Sequence, residues 1–180
     1  MLKTEKIVAS QIIVCSDKKL VFYDLNIEQI SDLASFLARI LKPADSLFLI
    51  GEIGSGKTFF ARKVIQRMMV NQNILVEEVP SPTFSIVQVY DMLSSVVWHL
   101  DLYRLSNFDE FIELGLDDIF ENVISLIEWS EKMGPYDPNR NISITFGQGK
   151  RDFDTRKVFL EFNGPGWENT FDCLTKNFLK

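Results

Sequence analysis

The chain has 180 residues, 46% hydrophobic and 24% charged, with a net charge of −6 and two cysteines, Cys15 and Cys173, near opposite ends. That balance suits one globular domain over 1–180 able to bury a core. It excludes a membrane span, since no apolar run approaches roughly 18–20 residues, and the lack of a CxxC pair argues against a zinc site or a disulfide framework.

The first fifteen residues carry early positive charge, but Ser10 and Gln11 interrupt the apolar run and no small-residue cleavage site follows, so a cytoplasmic protein with reduced thiols is expected. A protein that grips DNA or RNA alone shows a basic face. Arg62, Lys63 and Arg67 cluster here, as do Lys150, Arg151, Arg156 and Lys157, and both groups read as solvated surface charge. No DNA binding is expected, and tRNA is reached only indirectly, through protein partners.

In chain order, strands are expected over 7–9 or 12–15 and over 20–23. Asn26 with Gln29 has capping-box spacing. Ile27, Ile30, Leu33, Ala34, Leu37, Ile40 and Leu41 then recur at helical spacing until Pro43 ends the helix. Residues 46–50 are a short apolar run of the kind that forms a central parallel strand buried on both faces. A Gly-rich loop and a helix over 57–70 follow. Pro80 and Pro82 break the chain before two β-like runs, 84–90 and 96–102, whose short connection predicts a hairpin.

Asn107 with Glu110 is a second capping-box pair, opening a helix of about two turns that stops near Gly115. Residues 123–127 are another buried-type strand, and 141–146 with 157–162 alternate as a late hairpin. Trp167, Phe171, Leu174 and Phe178 fall 4, 3 and 4 apart, which predicts a C-terminal amphipathic helix within 165–180, docked as core. Strands alternating with helices make this an α/β chain.

The segment Gly51-Glu52-Ile53-Gly54-Ser55-Gly56-Lys57-Thr58 meets the pattern G-x-x-x-x-G-K-[ST]. Glycines let backbone N–H groups approach phosphate oxygens, Lys57 supplies a point charge to the β- and γ-phosphates, and the Thr58 hydroxyl can ligate Mg²⁺. The helix starting at Lys57 aims its positive end at the phosphates. The strand before and the helix after give the pattern its required context. The cofactors expected are ATP and Mg²⁺.

Such a site needs a second acid at a strand end. Glu128 closes an apolar run over 123–127 and is assigned to Mg²⁺. Asp101 closes a more alternating run and is assigned to orienting the attacking water or a metal-bound water. Either could instead cap its strand end or pair with Arg104. His99, the only histidine, reads as a packed or hydrogen-bonded side chain beside Asp101. Tyr103 and Arg104 read either as phosphate or partner contacts or as structural residues. The segment around Leu25 to Glu28 is the expected source of the adenine contact.

Five segments in order resemble the TsaE (YjeE) family of P-loop ATPases in bacterial tRNA threonylcarbamoyladenosine synthesis. They are the Gly-rich segment 51–58, Ser81-Pro82-Thr83-Phe84, His99-Leu100-Asp101-Leu102-Tyr103-Arg104-Leu105, Glu113-Leu114-Gly115-Leu116 and Leu126-Ile127-Glu128-Trp129. The resemblance covers about residues 22–165, which leaves residues 1–20 as an N-terminal extension and 165–180 outside the motif set. It implies a P-loop NTPase-like three-layer fold with mostly parallel central strands, a β-hairpin insertion and late antiparallel strands. It also implies ATP hydrolysis in support of a TsaB–TsaD assembly, with TsaC supplying threonylcarbamoyl-adenylate. By resemblance Thr58 and Glu128 are the Mg²⁺ ligands. Gly51, Gly54, Ser55, Gly56, Lys57, Thr58 and Phe59 line the phosphates, the loop from Ser81 to Phe84 with Thr83 faces the nucleotide, and Lys57 and Asp101 serve hydrolysis. Read alone, Ser81-Pro82-Thr83 is simply a turn.

Two other functions fit the motif. One is a small-molecule kinase, disfavoured because Arg104 stands alone until Arg140 where a kinase lid would carry arginines. The other is a nucleotide-binding module without significant turnover.

Overall fold

The computed structural model describes residues 11–16, 18–116, 119–136 and 138–178. The alternative first strand at 7–9 lies outside them. Strands β1 (Gln11–Ser16) and β2 (Lys19–Leu25) form an antiparallel pair. Helix α1 (Ile27–Leu37) follows, with its capping box closed: Gln29 N donates to Asn26 Oδ1 and Asn26 N to Gln29 Oε1, both at 2.9 Å. The apolar stripe outlasts the helix. Arg39 and Ile40 bond back three residues, to Phe36 and Leu37. This tighter turn ends α1 before Pro43 and still keeps Leu41 buried.

Strand β3 (Ser46–Ile50) leads through the Gly-rich loop into α2 (Lys57–Asn71). The hairpin of β4 (Val87–Asp91) and β5 (Val96–Asp101) comes next, then α3 (Phe108–Glu113) and β6 (Ile124–Glu128). The expected strand start at residue 84 is corrected. Residues 82–85 form a turn, Ile86 N donates to Pro82 O, and Phe84 stands 88% exposed. The second capping box is also altered: Asn107 Oδ1 accepts from Glu110 N, but Glu110 Oε2 reaches Ser106 N rather than Asn107 N. Strands β7 (Asn141–Gln148) and β8 (Arg156–Asn163) form the late hairpin, and α4 (Glu168–Phe178) closes the chain.

All eight strands join one sheet, ordered β1-β2-β8-β7-β3-β6-β5-β4. The middle four, β7, β3, β6 and β5, are mutually parallel, and the pairs outside them are antiparallel. Every residue of β6 is buried, as a strand between two parallel neighbours requires.

Side chains alternate across the sheet, and the two faces carry separate cores. Leu47, Leu49, Leu126, Ile144, Leu160 and Phe22 pack with α1, α2 and α4 on one face. Phe48, Leu100 and Ile127 pack with Phe111, Phe120 and Met133 on the other. The second outer layer thus covers the β3–β6–β5 part of the sheet.

In α4, Phe171 and Leu174 join Trp167 in the first core; the side chain of Phe178 lies outside those described. Arg140 fastens this end. Its guanidinium lies 3.8 Å from the Trp167 ring centre, and its Nε is 3.3 Å from the buried Asp45 carboxylate.

Candidate active site

The Gly-rich loop leaves the carboxyl end of β3 and enters α2, with Gly56 as the N-cap. Gly51 has φ +145, and a Cβ there would sit 2.7 Å from Phe146 O and 2.8 Å from Ser55 Oγ. Only glycine lets the chain turn this tightly against β7. Ser55 Oγ is buried and has no hydrogen-bond partner among the described residues.

Lys57 is 5% exposed, and its ammonium donates to Gly51 O at 2.7 Å and Glu52 O at 2.9 Å. The same nitrogen sits 4.1 Å from the centre of the Trp129 ring. Burial pulls the Lys57 ammonium below the usual lysine range, against the upward pull of Glu128, Asp101 and Glu131.

Parallel register brings the two acids together. Asp101 ends β5, Glu128 ends β6, and the two are direct partners across the strands. Both are almost fully buried, at 3% and 2% exposed. Thr58 Oγ1 donates to Glu128 Oε2 at 2.9 Å. Asp101 Oδ2 accepts from Thr83 Oγ1 at 2.5 Å, and its Oδ1 accepts from Tyr103 N at 3.0 Å. Ser81 Oγ lies 2.8 Å from Thr83 Oγ1. The turn at residues 81–83 therefore reaches across to the end of β5, which local sequence gave no reason to expect.

His99 bonds Glu128, not Asp101: Nε2 is 3.0 Å from Glu128 Oε1. By register His99 lies opposite Leu126 and Glu128 opposite Asp101, so this bond runs diagonally between the two strands. Arg104 makes no contact with either acid among the described residues; it donates to Phe84 O at 3.3 Å.

Two residues were missed. Trp129 adopts φ +61, a strained conformation for a bulky residue, and lays its ring between Lys57 and Tyr103, 5.0 Å from the latter ring centre. Its place directly after Glu128 was the available signal. Arg156, read as surface charge, instead donates from Nε to Ser55 O at 3.1 Å and so ties the Gly-rich loop to β8. No local motif announces that contact.

A cleft of about 590 Å³ opens beside the loop, lined by Asn26, Ile27, Ser55, Phe59, Phe146 and Thr155 among others. Of the segment 25–28, Asn26 and Ile27 line it, and Leu25 is fully buried.

The donor chemistry fits magnesium. Thr58 and Glu128 offer hard oxygens, the kind Mg²⁺ takes while keeping waters and substrate phosphates in its shell. Among the described residues no cluster of three His, Cys, Asp or Glu side chains could hold a metal without such help, and no helix is long and apolar enough to cross a membrane.

Comparison with known proteins identifies the family. The family model described as threonylcarbamoyl adenosine biosynthesis protein TsaE matches residues 25–158. The tRNA threonylcarbamoyladenosine biosynthesis protein TsaE of Bacillus subtilis is 30% identical over 161 residues, covering 89% of this chain and 96% of its own length. Its Rickettsia felis counterpart is 42% identical over 107 residues, 59% of this chain and only 60% of the relative. The crystal structure of Bacillus subtilis YdiB shares the fold, with a TM-score of 0.62 at 22% identity over 93% of this chain and 95% of that one. With the model matching most of its length, this chain belongs to the TsaE family of tRNA threonylcarbamoyladenosine biosynthesis proteins.

Proposed function

We propose that this protein binds ATP with Mg²⁺ at the Gly-rich loop and hydrolyses it in support of tRNA threonylcarbamoyladenosine modification, acting in the cytoplasm with TsaB and TsaD and touching tRNA only through them. The observation that carries this is the Lys57 ammonium. It is buried between a parallel strand and a helix start, and it is satisfied by two carbonyls of its own loop. A phosphate can replace both acceptors.

In this reading the loop residues Gly51, Gly54, Ser55, Gly56 and Phe59 shape the cradle, and the N-terminus of α2 adds its partial positive charge. Thr58 and Glu128 hold the magnesium. When bound, that ion neutralises charge on the β- and γ-phosphate oxygens. Lys57 turns its ammonium from Gly51 and Glu52 to the phosphates. Asp101, fixed by Thr83 and the Tyr103 amide, accepts a hydrogen bond from the attacking water and orients it. Trp129 screens Lys57 from solvent. The adenine occupies the cleft beside Asn26 and Ile27.

The test is phosphate release from ATP with the protein alone and with TsaB and TsaD added, alongside a screen for phosphorylated small molecules. Release to water, faster in the mixture, supports the proposal. A phosphorylated metabolite would replace it with a kinase, and nucleotide binding without turnover under either condition would leave a binding module.

A further inference from the structure

His99 is the one buried polar side chain at this site without a part in the chemistry above. It is fully buried, and of its two ring nitrogens only Nε2 has a partner among the described residues, Glu128 Oε1 at 3.0 Å. An apolar side chain at this buried position opposite Leu126 would avoid desolvating two nitrogens. The position therefore makes sense through the one bond it forms.

We propose that His99 is a positioning residue for Glu128, holding the carboxylate so that a single oxygen faces the Gly-rich loop. This rests on the reading of Glu128 as a magnesium ligand. Three features support it. Parallel register sets Glu128 beside Asp101, on the same face as His99 two residues earlier. His99 therefore meets Glu128 from the side nearer the start of the strands, away from the loop. The carboxylate receives one donor on each oxygen, His99 on Oε1 and Thr58 on Oε2 at 2.9 Å. Only the Thr58 donor can leave by rotating its hydroxyl. The imidazole cannot follow, because its ring is enclosed. Finally, an ionised carboxylate only accepts hydrogen bonds, so Nε2 carries the hydrogen. Nδ1 has no partner among the described residues. Losing such an orienting contact typically weakens metal binding about 10–100-fold.

The chain has a single histidine, so its imidazole nitrogens give one assignable set of NMR signals. In the native protein Nε2 is expected to carry a hydrogen, and the ring signals should move when Mg²⁺ is added to ADP-saturated protein. An Nδ1–H tautomer, or signals indifferent to Mg²⁺, would overturn the proposal without any variant.

The second arm is calorimetry of ADP binding with and without Mg²⁺. The amide nitrogen of glutamine lies as many bonds from Cβ as Nε2 does, so His99→Gln should keep the strengthening by Mg²⁺ to within about 3-fold, and His99→Leu should lose about 10–100-fold of it. Equal behaviour of the two variants refutes the positioning role. Glu128→Gln separates the layers. If it loses the magnesium effect while His99→Leu retains it, only the role of His99 falls. If Glu128→Gln retains the effect, the assignment of Glu128 itself is wrong.

Discussion

Replacing Gly51 with alanine places a methyl group where the fold leaves no room. The new Cβ would lie 2.7 Å from Phe146 O, a backbone atom of β7, which pairs with β3 on one side and β8 on the other. It would also lie 2.8 Å from Ser55 Oγ. The hydroxyl can rotate away, but the carbonyl cannot without disturbing the sheet. The φ of +145 adds backbone strain of about 1–3 kcal/mol for a residue with a side chain. The overlap adds about 1–3 kcal/mol. The central expectation is about 4 kcal/mol, or a melting temperature lower by about 8–16 °C for a chain of this size.

Gly54 is the matched control. Its φ is +78, but a Cβ there meets nothing within 4 Å, so Gly54→Ala carries only the left-handed cost of about 1–2 kcal/mol. Differential scanning calorimetry of both variants, with ADP affinity measured alongside, captures either response of Gly51→Ala: a less stable fold, or a loop pushed out of its binding shape. The reasoning is refuted if Gly51→Ala melts within 2 °C of Gly54→Ala and binds ADP equally well.

Lys57→Met should weaken ADP binding about 10–100-fold by removing a charged hydrogen bond to phosphate. Burial lowers the ammonium's pKa in the fold, so the unfolded chain holds that proton more tightly, and native stability rises as pH climbs toward the unfolded value. At pH 7 the nucleotide-free variant should therefore melt no lower than wild type, as thermal scans would report. Asp101→Asn keeps an acceptor for the Tyr103 amide and sets its NH2 against Thr83 Oγ1, which can accept in turn, but it loses the charge; ADP affinity should hold while turnover falls by about 10²-fold or more, as steady-state kinetics would show. Burial raises the Asp45 carboxyl above 3.8, against the Lys42 amide and Arg140. A raised acid contributes stability below its unfolded pKa and loses it as pH rises through the folded value. The stability gap between wild type and Asp45→Asn should thus narrow as pH increases from about 4 upward, read from urea melts.

Much of this was legible because its physics is local. The Asn26–Gln29 box, the apolar run ending in Glu128 and the glycine spacing from Gly51 to Gly56 each concern a few consecutive residues, and each formed as its spacing requires. The misread features are set by pairing across the sheet. His99 bonds Glu128 diagonally across β5 and β6, a contact between strands that its sequence neighbourhood does not show. Thr83 reaches Asp101 only because residues 82–85 turn instead of extending β4. Arg156 reads as one charge among several until β8 brings it alongside Ser55. The family resemblance singled out Thr83, which the residues alone did not.

The central claim is that this loop holds a magnesium-bound triphosphate, and a crystal structure with Mg²⁺ and a non-hydrolysable ATP analogue addresses it directly. The account predicts phosphates within hydrogen-bond distance of Lys57 Nζ, which has left Gly51 O and Glu52 O, and a metal ion bound near Thr58 Oγ1 and Glu128. A nucleotide seated elsewhere, or a Lys57 ammonium still on its own loop carbonyls at full occupancy of the analogue, would contradict it.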